Sequence, residues 1–250
     1  MPAYPMESSR VYRSATSGLR LKTLSVTVKE TDLWIAVSSS SFSENLADRV
    51  ERVIWNRRRQ IEDYFADYPF LLSTLGPVVV ADDAPAIVRA MARAGNRAGV
   101  GPMAAVAGAI AESVGQFLLG LSEEVIVENG GDVFIKAVEP VSVGIYAGDS
   151  PLSGKLSLKI RPDQTPLGVC TSSGTIGPSL SFGQADAAVA LSGSAPLADA
   201  AATALGNRVQ GPGDLEEALG FARKIEGITG VLLICGDKIA AWGDIELQKN

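Results

Sequence analysis

The chain has 250 residues, of which 46% are hydrophobic and 20% charged, the balance of a globular protein with a sizeable core. Its net charge is −6, and its one dense basic run, Arg57-Arg58-Arg59, sits among Glu51, Glu62 and Asp63, which argues for a solvated, salt-bridged face and against a nucleic-acid partner. Histidine is absent, so Ser-His-Asp and Cys-His nucleophile activation and imidazole zinc sites are excluded; acid–base work falls to other groups, and any metal should be hard and oxygen-liganded, with Mg²⁺ the default.

Residues 1–13 carry no apolar signal-peptide core, and the richest apolar run, 103–111, is followed by Glu112 and Gln116. No membrane span is therefore expected. Two cysteines, Cys170 and Cys235, are too few for a disulfide framework and suit a reducing compartment, so the expected location is cytoplasmic.

Residues 21–29 and 31–38 alternate apolar and polar around a short turn and predict an antiparallel hairpin. Ser41 with Glu44 has the spacing of a capping box, and Leu46, Val50, Val53, Ile54, Ile61 and Phe65 then recur at helical spacing, predicting a helix over 44–64 that Pro69 ends. Pro85 starts a second helix, Gly99-Val100-Gly101 breaks it, and a small-residue helix over 102–119 follows. Short strands are expected at 125–128, 133–138, 141–147, 156–160, 167–171 and 185–191. Helices at 196–207 and 215–225 and a hairpin of 231–234 with 239–242 complete the chain. With no long linker, no repeat and connections too short for crossovers, the expectation is one α+β domain over 1–250, its sheets mainly antiparallel and flanked by helices. The hairpin and helix of 1–80 should pack on the motif-bearing part, 81–250.

Four segments could carry chemistry. Asn129-Gly130-Gly131, between Glu128 and Asp132, reads either as a tight turn with a bulge or as a place where main-chain N–H groups touch a phosphate. Thr171-Ser172-Ser173-Gly174 after Cys170 is either a surface turn or a phosphate cradle. Pro196 at the first helical position would put Asp199 in the first turn and Thr203 one turn on, as a Mg²⁺ pair or as an acid complementing the helix dipole with a filler threonine. Gly99-Val100-Gly101-Pro102, entering the small-residue helix, is a weaker candidate anion site.

In this order, Gly101-Pro102-Met103-Ala104, ENGGD, VCTSSG and ADAAATALGN resemble the landmarks of the ApbE-like superfamily, and within it the UPF0280 (DUF375) branch. The resemblance implies an ApbE-like α+β fold and enzymes that move FMN from FAD to a protein threonine with Mg²⁺. It assigns the metal to Asp199 and Thr203, and the nucleotide (FAD, FMN or another) to Asn129, Gly130, Gly131, Thr171, Ser172, Ser173 and Gly174. The chain departs from the transferases in lacking a lysine at Pro102-Met103-Ala104. It also has Gly177-Pro178-Ser179 where they carry a histidine segment, and where the UPF0280 branch often resembles GHSLS. Removing two preorganised polar groups, at roughly 3 kcal/mol each, speaks against FMN transfer itself. The expectation is thus Mg²⁺-dependent binding or transfer of a small phosphate-containing ligand, with Asp132 and Cys170 as the catalytic candidates. The alternatives are a non-catalytic accessory protein, which the branch links to sulfur assimilation and homocysteine formation through a reactive Cys170, and a homo-oligomeric structural subunit.

Overall fold

The computed structural model describes residues 20–174 and 182–250. The expected stretch Gly177-Pro178-Ser179 lies outside them. Period-two patterning builds an eight-stranded sheet in the order β1 (Leu21–Val28), β2 (Thr31–Ser38), β3 (Val125–Asn129), β4 (Asp132–Lys136), β7 (Leu167–Ser172), β8 (Ala187–Ser192), β9 (Ile228–Cys235), β10 (Lys238–Gly243). Every neighbouring pair is antiparallel, as short connections require. A second, three-stranded sheet contains β5 (Val141–Gly144), β6 (Leu156–Ile160) and β11 (Leu247–Lys249).

Alternation gives the large sheet two buried faces. Val125 and Val127, Phe134, Cys170, Ala188 and Ala190, and Val231 and Leu233 point to one core, shared with the helices. Ile126, Val133 and Ile135, Val169, Val189 and Leu232 point to the other, where Val141, Leu158 and Ile160 of the small sheet meet them. The result is a layer of helices, a large sheet and a small sheet, an α+β architecture as expected.

The helices are α1 (Leu46–Asp67), α2 (Ala86–Ala98), α3 (Val106–Leu119), α4 (Ala195–Gly206) and α5 (Leu215–Ala222). α1 buries the predicted stripe, Leu46, Val50, Ile54, Ile61 and Phe65. The capping box does not form: Ser41 lies in a 3₁₀ turn, Ser39–Ser41, and Asn45 is the N-cap. The basic run is the salt-bridged face anticipated, with Arg58 paired to Glu30 and Glu62. By length and composition the stretch Pro102–Leu119 does reach the measure of a membrane span, which corrects the reading from its polar interruptions; half of it is buried, against β3, β4, α1 and α4.

α4 is alanine-rich because it has no room for more. It is wedged between β7, β8 and helices α2 and α3, and all of its residues except Thr203 are buried. Two glycines allow the approach. A Cβ on Gly168 would lie 2.4 Å from the Ala195 Cα, and one on Gly108 would lie 2.5 Å from the Ala195 carbonyl oxygen. Both obstacles are backbone, so neither can swing aside. Replacing Gly168 by alanine should destabilise the protein by about 1–3 kcal/mol, read as a lowered midpoint in urea with an unchanged slope; a midpoint equal to wild type would show that α4 is free to move away from β7.

Candidate functional site

The Asn129–Asp132 turn is a two-residue hairpin without a bulge. Gly130 and Gly131 form its centre at φ 67° and 109°, and Asn129 pairs with Asp132. Positive φ at both central positions suits a hairpin whose twist matches its strands. The Gly131 N–H is donated to the Glu128 carboxylate at 3.0 Å, while Gly130 has open space on its Cβ side.

Strand parity decides which candidates look toward the helices. Asn129 continues the face of Val125 and Val127, Asp132 that of Phe134, and Ser172 that of Cys170. Asn129 donates from Nδ2 to the Ala107 carbonyl at 3.1 Å, at the start of α3. Asp132 and Cys170 are register partners on β4 and β7. Ser172 reaches the C-terminal end of α4, its Oγ 3.4 Å from where a Cβ on Gly206 would sit. Thr171, by the same parity, belongs to the opposite face. The Gly174 amide is donated to the Ala185 carbonyl at 2.9 Å, folding that loop back on the chain.

Asp199 is not in the first turn of its helix. Pro196 takes the second position, not the first, which moves the acid into the second turn, where it has no N–H of its own helix to cap. It caps a different helix: its Oδ2 accepts the Gly108 N–H of α3 at 2.9 Å, with a further bond from Ala107. Glu112 of α3 returns the arrangement, accepting the first N–H of α4, from Ala195, at 2.6 Å. The anion site expected at Gly99-Val100-Gly101-Pro102 lies ahead of the helix: Pro102–Ala105 form a 3₁₀ turn, α3 starts only at Val106, and the amides at that start are taken by a carboxylate of the protein itself. Glu112 had registered in the sequence only as a break in an apolar run; an acid amid small apolar residues was the available signal.

These placements put Asp132, Cys170 and Asp199 in one buried cluster. Burial pushes Asp132 up to about 7 and Asp199 well above the usual carboxylate range, and the charge of Asp132 adds to the shift of Asp199. For Asp132, Glu128 adds to the rise, whereas hydrogen bonding to the Cys170 thiol and the Thr171 N–H opposes it. One oxygen, Asp132 Oδ1, is buried and accepts no hydrogen bond among the described residues. Cys170 is completely buried, its Sγ 3.4 Å from the Ala195 carbonyl, and burial and the two neighbouring acids push its thiol well above its ordinary range. That corrects the expectation of a reactive Cys170: a thiolate needs a positive or exposed setting, and this one is apolar and acidic.

The donor set suits a hard cation. Two mutually repelling buried carboxylates, one with an unpartnered oxygen, would be relieved by a divalent ion, and Thr203 stands one turn from Asp199 on the same helix. Among the described residues no group of three or more His, Cys, Asp or Glu is arranged to hold a metal ion by itself, so much of the ion's coordination would fall to water and to a bound ligand, as Mg²⁺ ordinarily allows. A cavity of 630 Å³ lies elsewhere, along α5 and the residues after α4.

The family profile described as "AbpE bacteria" matches residues 13–246. A UPF0280 protein of Methanocella arvoryzae is 44% identical over 223 residues, covering 89% of each chain, and one of Methanocaldococcus jannaschii is 40% identical over 231 residues, covering 90% of this chain and 92% of its own. The chain belongs to the UPF0280 family. Its fold is that of ApbE: the apo flavinyl transferase ApbE of Pseudomonas stutzeri superposes with a TM-score of 0.60 at 15% identity, covering 89% of this chain and 94% of its own. The flavin transferase ApbE of Vibrio cholerae gives 0.61 at 14% identity, covering 89% and 96%. At such identities the likeness shows the architecture alone. In this member of the family the start of α3 has Asp199 against the amides of Ala107 and Gly108.

The raised pKa of Asp132 fixes the sign of a pH effect. The folded protein keeps a proton that the unfolded chain releases near pH 4, so this contribution to stability is full below about pH 4 and is lost as pH rises toward 7. Asp132→Asn should therefore be more stable than wild type at pH 8, by on the order of 4 kcal/mol, and nearly equal to it at pH 4. Urea titrations at the two pH values measure this, and an Asn variant that is less stable at pH 8 would mean that the carboxylate is charged and well partnered.

Proposed function

We propose that the protein binds a small phosphate-containing ligand, such as a flavin nucleotide, through a divalent cation, Mg²⁺ by choice, held by Asp199 and Thr203 with Asp132 as the second carboxylate. The observation that carries this reading is the unpartnered oxygen of Asp132, buried beside a second acid with no lysine or arginine by them among the described residues. When bound, the ion would supply positive charge to phosphate oxygens, the main requirement of phosphoryl or nucleotidyl transfer, which needs positioning and electrostatics more than covalent chemistry. The chain's own part is to hold the acids rigid and dry. Asn129, Gly130 and Gly131, with Ser172, Ser173 and Gly174, would then contact the nucleotide, chiefly through the open side of Gly130 and the Ser172 hydroxyl, whereas Thr171, on the opposite face, would not.

Of the catalytic candidates, Asp132 has the pKa near 7 that suits proton transfer at neutral pH. The unactivated Cys170 and the amides of Gly131 and Gly174, already donated within the protein, favour a second reading: a protein that binds the ligand without transferring any part of it. In either case two unpaired, buried thiols fit a cytoplasmic protein.

Calorimetry with FAD, with and without Mg²⁺, tests the reading. FAD should bind only with Mg²⁺ present, and Asp199→Asn and Thr203→Val should each weaken it by about tenfold or more. Asparagine keeps an oxygen for the Gly108 amide, so the fold should survive, as circular dichroism would verify. Release of AMP from the complex would mark transfer; binding without AMP would mark the accessory role. Absence of FAD binding at any Mg²⁺ concentration ends the flavin proposal.

A further inference from the structure

The loop after α4 carries a second arrangement that the carboxylate cluster does not use. The Arg208 guanidinium carbon lies over the Phe221 ring of α5, 3.4 Å from its centroid, and its Nη1 donates to the Ala204 carbonyl at 2.7 Å. Stacking and that bond restrain the group, and its Nε and Nη2 have no hydrogen-bond partner among the described residues. Partial burial pulls the Arg208 pKa down, the mark of a charge losing water without gaining a counter-charge. Two acids line the same 630 Å³ cavity, yet neither forms an ion pair with Arg208 among the described residues. Asp214 is turned to the N–H groups of Gln210 and Gly211, at 2.8 and 3.0 Å. Lys224 lies exposed on the same wall and has no ion pair among the described residues either.

We propose that this cavity is a binding site for a phosphate dianion, free or as the monoester of a small molecule, read by the fixed edge of Arg208 and by Lys224. Two cations match a dianion, and a planar guanidinium held by stacking presents two parallel N–H donors to a tetrahedral oxyanion. The volume falls within the roughly 300–1,000 Å³ of ordinary small-ligand pockets. The site shares no residue with Asp132, Asp199 or Thr203, so it stands or falls apart from the metal reading.

The test is ³¹P NMR and calorimetry on the full chain without divalent metal, using inorganic phosphate, glycerol 3-phosphate and AMP, with adenosine as control. Saturable binding of inorganic phosphate alone would identify free phosphate as the ligand, and tighter binding of either ester would identify a monoester; both support the site. Arg208→Lys should weaken binding about tenfold by losing the paired donors, Lys224→Ala should weaken it severalfold, and Lys155→Ala, an exposed lysine outside the cavity, should leave it unchanged. Lys224 is exposed, so its variant tests the site even if changes at Arg208 disturb the loop. No saturation of any phosphate probe up to about 10 mM would overturn the proposal, as would adenosine binding as well as AMP, or binding unaltered in both cation variants.

Discussion

Two helices that exchange carboxylates hold the centre of this molecule. Asp199 of α4 accepts an amide of the first turn of α3, and Glu112 of α3 accepts the first amide of α4. A helix start buried without partners would strand several N–H groups, and here neither helix finds a cap in the residue before it. The exchange works only because Gly108 lets the two backbones come within touching distance, and because Gly168 lets β7 lie against the start of α4. Once these contacts are made, Asp199 cannot leave the interior, and its neighbour across the sheet surface is Asp132.

That placement sets the electrostatics of everything nearby. The positive end of α3 would ordinarily attract a ligand's anionic group, but Asp199 already occupies it. The same cluster holds Asp132, uncompensated by any lysine or arginine among the described residues. An anionic ligand approaching these acids meets no lysine or arginine among the described residues, so recognition of a phosphate here would call for an intervening cation. The lack of histidine leads to the same conclusion from the other side, because the cluster contains no imidazole to share the proton load and its one thiol is made less acidic by its surroundings.

Much of the framework was legible because it rests on local periodicity. The hairpin of β1 and β2, the apolar stripe of α1 and the alternating strands of the sheet follow from spacing alone. β11 escaped notice because it is three exposed residues whose only reason to be extended is the edge of β6. The capping box failed because Ser41 and Glu44 have the right spacing but the chain makes a 3₁₀ turn first, and local spacing cannot register that tertiary choice. Asp199 and Asp132 were each singled out, but their pairing depends on the register of β4 against β7 and on α4 lying across both, neither of which is written in either motif. A one-position error over Pro196 shifted Asp199 by one residue, just past the first turn, and with it the meaning of the acid: a first-turn acid would have served its own helix, whereas a second-turn acid serves its neighbour.

Asp199 therefore has two duties that pull on the same group. As a cap it is best ionised, since amide donors favour the charged form; as a buried acid beside another it is best protonated. A monovalent proton settles the conflict by neutralising one oxygen and weakening a cap. A divalent ion, as proposed, would settle it without that loss, because it could neutralise both acids while Oδ2 of Asp199 keeps its amide. The same geometry that secures two helix starts thus leaves two buried acids side by side, a conflict that the proposed hard cation would relieve better than a proton. A purely structural cap would have been served as well by a serine or asparagine, with no second acid alongside to make it costly.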